Sequence, residues 1–101
     1  MSIMYMTARE LLTEKRGQVE ALAQRHGAAR IRLIGSVARG TERPDSDIDF
    51  LVTWEPWTSL LYCAALAQDL EEILGRRVDI ASDGWVRPEL RDSVYRDARP
   101  L

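Results

Sequence analysis

Gly35-Ser36-Val37-Ala38-Arg39-Gly40-Thr41-Glu42-Arg43-Pro44-Asp45-Ser46-Asp47-Ile48-Asp49 is the stretch on which both the fold and the chemistry turn. Just before it, Arg30-Ile31-Arg32-Leu33-Ile34 starts in alternation and ends apolar, as a strand entering a core does. Gly35-Ser36 ends that strand. Val37-Ala38-Arg39 reads as a short helical turn before Gly40, and Thr41 to Ser46 has the Pro and Asp of a turn. Asp47 to Trp54 then reads as a second strand with Ile48, Phe50 and Val52 on one face. Side chains alternate along a strand, so Asp47 and Asp49 share the opposite face.

Outward from this stretch the pattern is regular. A helix is expected over 7–26: Thr7 and Glu10 form a capping box, and Ala8, Leu11, Leu12, Val19, Leu22 and Ala23 recur at helical spacing. Gly27 is its stop. A second long helix is expected from Thr58 to Leu74, ended by Gly75, with Leu60, Leu61, Leu66, Leu70, Ile73 and Leu74 on a wide apolar face. Arg77-Val78-Asp79-Ile80-Ala81 reads as a third strand. Pro88 to Arg96 reads as a last short helix, followed by a tail. The order α-β-(short α)-β-α-β-α implies a small α/β (α+β) sheet with helices packed on it. At 101 residues the chain is expected to form one domain over 1–101.

The carboxylates carry the chemistry. Asp79 lies between Val78 and Ile80 and faces away from them, so a third strand beside the second lets Asp79 join Asp47 and Asp49. Carboxylates forced together repel unless a cation, a shared proton or water screens them. Paired oxygen ligands suit a hard divalent cation such as Mg²⁺, completed by phosphates and water. Gly35 allows the backbone a sharp turn and a close approach to a ligand. Ser36 adds a hydroxyl and an N–H at the start of a helical turn. A phosphate cradle beside a metal-binding acidic cluster is what phosphoryl transfer needs.

Gly-Ser, about ten residues, Asp-x-Asp, and a later-strand Asp resemble the signature of the DNA polymerase β-type nucleotidyltransferase superfamily. The flanking Ala38-Arg39-Gly40 and Ser46-Asp47-Ile48-Asp49 look most like its minimal nucleotidyltransferase (MNT) group, and the likeness runs from about residue 7 to the end. The resemblance implies a three-stranded mixed sheet flanked by helices, and transfer of a nucleoside monophosphate from an NTP to a hydroxyl with release of pyrophosphate. By that likeness Asp47 and Asp49 hold Mg²⁺ against the triphosphate, and Gly35 and Ser36 bind its β- and γ-phosphates. Asp79 ligates a second metal and helps deprotonate the acceptor. Arg39 is a candidate for the triphosphate oxygens, whereas Arg43 reads as a solvated loop residue. ATP is the expected substrate, although no residue reads an adenine edge.

The short chain bears on the acceptor. It stops about twenty residues after Asp79, so another molecule is expected to present the acceptor hydroxyl. Similar minimal nucleotidyltransferases pair with a HEPN-domain toxin, acting as antitoxin by adenylylating a tyrosine of the toxin or by masking it. Three readings stand: a protein adenylyltransferase acting on a HEPN partner, a non-catalytic binding antitoxin, and a small-molecule nucleotidyltransferase working as a homo-oligomer. The acidic cluster favours an enzyme, because a pure binder gains nothing from mutual repulsion. Trp54, Trp57, Trp85 and Tyr62 lie near element ends, where they serve either as core caps or as interface residues.

Composition closes off other classes. Sixteen acidic residues against fourteen basic leave a formal charge of −2, which argues against direct nucleic-acid binding through a basic surface. The single cysteine, Cys63, excludes an internal disulfide and sits in an apolar helical stretch, where it reads as structural. His26, at a helix end, is not expected to be a ligand. With no signal-peptide pattern and no apolar run near the ~20 residues of a membrane span, the expected location is cytoplasmic, without membrane association.

Overall fold

The computed structural model describes residues 6–101. Its elements are α1 (Ala8–Arg25), β1 (Ala28–Ile34), α2 (Gly35–Arg39), β2 (Ile48–Trp54), α3 (Leu60–Leu74), β3 (Val78–Ser82) and α4 (Pro88–Asp97). Local chemistry sets their ends. Thr7 caps α1 by accepting from Glu10 N–H at 3.1 Å, while the Glu10 carboxylate accepts from Thr7 N–H at 2.9 Å. Ser59 caps α3, one residue later than the sequence pattern predicts, and Gly75 ends it in the left-handed region.

The three strands form a sheet in the order β1-β2-β3, with β1 antiparallel to β2 and β2 parallel to β3. This is the expected mixed sheet. A register shift between Ala28 and Arg30 carries β1 two residues further back than the pattern from Arg30 suggests. Ile48, Phe50 and Val52 are fully buried and share one core with Leu12, Val19 and Ala23 of α1 and Leu66, Leu70 and Leu74 of α3. α2 adds Val37 and Ala38 to the same core.

The other face of the sheet is closed differently. Leu51 is fully buried there, but α4 contributes no buried residue of its own. Polar tethers hold α4 instead. The Tyr95 hydroxyl donates to the Asp83 carboxylate, which also accepts from the Thr53 hydroxyl (2.9 Å) and pairs with Arg32 (3.3 Å). The Arg32 guanidinium lies 5.8 Å from the centre of the Tyr95 ring. These partners, the tyrosine hydroxyl first, hold the Asp83 carboxyl below its usual range. The segment read as a plain tail does more: Arg99 exchanges backbone hydrogen bonds with Leu33 at 2.7 and 2.8 Å, adding an antiparallel bridge to the outer edge of β1.

Candidate active site

Because β1 runs against β2 while β3 runs with it, one end of the sheet gathers the end of β1 and the beginnings of β2 and β3. There Ile34, Asp49 and Asp79 stand in one row, since Ile34 pairs with Asp49 and Asp49 with Asp79. Paired residues on adjacent strands lie about 4.8 Å apart, so the two carboxylates are direct neighbours. Burial raises the Asp49 carboxyl above its ordinary range, and repulsion from Asp79 and Asp47 raises it further, while Arg39 acts in the opposite sense.

Gly35 follows this row at φ +75°, a conformation that side chains other than glycine rarely adopt. A Cβ on Gly35 would stand 3.1 Å from Cγ and 3.2 Å from Cβ of Asp49 and would run into its carboxylate oxygen. Backbone and carboxylate are therefore packed against each other, so the close approach at Gly35 is to the Asp49 side chain. Ser36 is the second residue of α2, and among the described residues its hydroxyl has no hydrogen-bond partner. Arg9 of α1 donates to the carbonyls of Val37 (2.8 Å) and Ala38 (3.3 Å), fixing the far end of α2.

Asp47 stands just ahead of β2 rather than within it and is more exposed than Asp49. Its carboxylate pairs with Arg77 at 3.1 Å. The loop before it is stitched down: Ser46 exchanges hydrogen bonds with the Arg43 backbone, and Arg76 donates to the Ser46 carbonyl at 2.6 Å. Arg43 is exposed in that loop, as expected. Arg39 reaches across to Asp97 of α4, Nη1 to Oδ2, at 3.0 Å. Between them lies a cleft of about 240 Å³ lined by Gly35, Arg39, Asp49 and Asp79 on the sheet side and by Ser93, Val94 and Asp97 on the α4 side.

The donor set fits a hard divalent cation. It is made of carboxylate oxygens alone, with Asp49 and Asp79 paired in register and the Asp49 carboxyl raised by burial first and by its acidic neighbours second. Among the described residues no three His, Cys, Asp or Glu side chains are gathered closely enough to hold a metal ion on their own, so the protein's share of such a site is the Asp49–Asp79 pair. An open site suits Mg²⁺, which is usually held by one or two carboxylates and completed by substrate phosphates and water.

Sequence reasoning missed Asp97, Arg77 and Asp83. Asp97 and Asp83 find their partners Arg39 and Arg32 58 and 51 residues away, with no local pattern to mark them. At the opposite end of the sheet, Trp54 packs against the core and donates to the Ser82 hydroxyl at 2.9 Å, so it is a core cap. Trp57 and Trp85 are largely exposed, and Trp57 meets Tyr62 edge to face at 5.5 Å. Cys63 is only half-buried, yet burial pushes its thiol pKa up, away from nucleophile chemistry. His26 ends α1 and meets Asp69 at 2.7 Å, a contact between helices far from the cleft.

A mixed three-stranded sheet with a Gly-Ser turn pressed against an acidic row defines a nucleotidyltransferase of the polymerase-β type. The chain belongs to the nucleotidyltransferase domain family, whose profile matches residues 15–99. It is similar to the protein adenylyltransferase MntA of Thermococcus cleftensis, 35% identical over 95 residues that cover 89% of this chain and 96% of that one. A solved structure provisionally described as a minimal nucleotidyltransferase shares 48% identity at a TM-score of 0.85, covering 96% of this chain and 98% of its own. A toxin–antitoxin complex with AMP-PNP matches at 25% identity and a TM-score of 0.71, over 82% of this chain and 68% of that one. The chain is thus an enzyme of the minimal nucleotidyltransferase group. Among the described residues no helix is long and apolar enough to cross a membrane.

Proposed function

We propose that this chain moves AMP from ATP to a hydroxyl of a partner protein, a tyrosine of a HEPN toxin, and acts as its antitoxin. The observation that carries the reading is the Asp49–Asp79 register pair with Gly35 packed against it. Its similarity to a protein adenylyltransferase supports the acceptor class, and its similarity to a toxin–antitoxin complex with AMP-PNP supports both adenine and the partner. In this reading Asp47, Asp49 and Asp79 hold one or two Mg²⁺ ions, which when bound offset phosphate charge and favour the ionised acceptor. Gly35 provides the tight turn that lets the Asp49 carboxylate lie against the backbone, and the Ser36 hydroxyl, without a partner among the described residues, donates to a β- or γ-phosphate oxygen. Arg39 adds a cation to an otherwise acidic cleft. Asp79 receives the acceptor proton as the acceptor oxygen bonds to the α-phosphorus. The bond from that phosphorus to the bridging oxygen breaks, and pyrophosphate leaves.

The acidic row also weighs against a purely binding antitoxin, since raised proton affinity at Asp49 is a cost without use in a passive surface. The test incubates this chain with its HEPN partner, ATP and Mg²⁺, and reads the intact mass of both proteins. AMP additions on the partner that vanish with Asp47→Asn, Asp49→Asn or chelator are expected. A stable complex with no mass gain, formed equally by the variants, would establish the binding antitoxin instead. Transfer to a small hydroxyl compound by a self-assembled form would establish the homo-oligomeric reading.

A further inference from the structure

We infer that α4 is a lid over the nucleotide cleft, latched shut by Asp97 through Arg39 and opened when a triphosphate takes the guanidinium. The inference rests on the cleft being the nucleotide site. Four observations lead to it. The cleft holds about 240 Å³, below the ~300–1,000 Å³ typical of small-molecule sites, and is open to solvent with α4 as one wall, so the position of α4 sets how much of a nucleotide it encloses. No residue of α4 is itself fully buried, although the helix lies on the Leu51 face of the sheet, and it is held by the Tyr95–Asp83 hydrogen bond, the Arg32–Tyr95 contact, the Arg39–Asp97 pair and the Arg99–Leu33 bridge. An element with few buried apolar contacts belongs to the low-stability part of a fold, from which lids are drawn.

Charge supplies the latch. Arg39 is the one cation among the residues lining the cleft, and it already faces Asp97 at 3.0 Å. A guanidinium binds phosphate best as a two-pronged fork, so a phosphate and the Asp97 carboxylate compete for the same donors. Asp97 also lines the cleft beside Asp49 and Asp79, adding a third like charge against an anionic substrate. Withdrawal of α4 removes that charge, frees Arg39 and enlarges the cleft in one motion. Asp97 is then a positioning residue that acts on the substrate through Arg39.

The test measures binding of AMP-PNP with Mg²⁺ by calorimetry, and amide exchange across 93–98, for the wild type, Asp97→Asn and Tyr95→Phe. For a partly exposed pair the latch predicts about two- to fivefold tighter binding in Asp97→Asn. Exchange in α4 should be faster without ligand, and AMP-PNP should speed it in the wild type. Tyr95→Phe cuts a tether without touching cleft charge, and it too should tighten binding. Weaker binding in Asp97→Asn would mean that Asp97 orients Arg39 for the phosphate and would overturn the lid. So would tighter binding confined to Asp97→Asn with α4 exchange unchanged in every protein. No AMP-PNP binding by the wild type would instead remove the nucleotide site itself, and the lid with it.

Discussion

Replacing Gly35 with alanine isolates the contact on which the site is built. Two penalties apply. The backbone at φ +75° costs an L-residue about 1–2 kcal/mol. The new methyl group also meets the Asp49 side chain, 3.1 Å from its Cγ, and drives the carboxylate off its rotamer at about 0.5–1.5 kcal/mol. Gly40 provides the control. It has almost the same φ, +76°, and nothing lies within 4 Å of a Cβ there. Gly40→Ala therefore carries the backbone penalty alone, and the lower entropy of the unfolded alanine chain is common to both variants. Gly35→Ala should be the less stable of the two by about 1 kcal/mol, or roughly 4–8 °C in Tm for a chain of this size. Thermal and urea unfolding of both measure the difference. The Asp49→Ala background closes the cycle: with the carboxylate gone, the penalty at Gly35 should fall to that at Gly40. Equal penalties in the wild-type background, or an excess at Gly35 that survives Asp49→Ala, would refute the packing argument.

Asp49 binds its proton more tightly in the folded chain, so its contribution to stability is full below the usual carboxylate range and is lost as pH rises through its raised folded value. Asp49→Asn, which cannot ionise, should be more stable than the wild type at pH 7, with the gap closing toward pH 4. Urea midpoints across that range check it, and a gap independent of pH would count against the burial and repulsion assigned to Asp49. Phe50→Ala, at the centre of the core, should cost about 3–5 kcal/mol, enough to leave little of a small domain's stability in equilibrium unfolding. Leu61→Ser, at a side chain 80% exposed, should change stability by no more than about 0.5 kcal/mol.

Most of the architecture was legible in the sequence because it is locally encoded. The Thr7–Glu10 capping box, the glycine stops at Gly27 and Gly75, and the alternation of Ile48, Phe50 and Val52 each act within a few residues. The sequence showed that Asp79 shares a face with Asp49 if β3 lies beside β2; the parallel direction and the Asp49–Asp79 register are set by tertiary pairing and come from the structure. Asp47 lies one residue ahead of the strand because pairing starts only at Ile48, opposite Val78, after the turn that Ser46 and Arg43 close. What escaped entirely belongs to α4 and the residues after it. Tyr95 reaches Asp83, Arg39 reaches Asp97, and Arg99 reaches Leu33, all through tertiary placement that no periodicity announces. The burial of Leu51 on the carboxylate face follows from that placement too.

The mixed strand directions divide the molecule by tolerance to redesign. Because β1 arrives at the cleft while β2 and β3 depart from it, the connections from β2 to α3 and from β3 to α4 leave from the far end of the sheet. Segments 55–58 and 84–87 thus lie at the end of the sheet opposite the acidic row, which stays on its own three-strand frame, although Glu55 N–H bonds to the Gly27 carbonyl at 2.8 Å and anchors the first of them. A recognition loop grafted ahead of α3 would alter what the enzyme meets and leave the acidic row in place, whereas one ahead of α4 would also move the helix that walls the cleft.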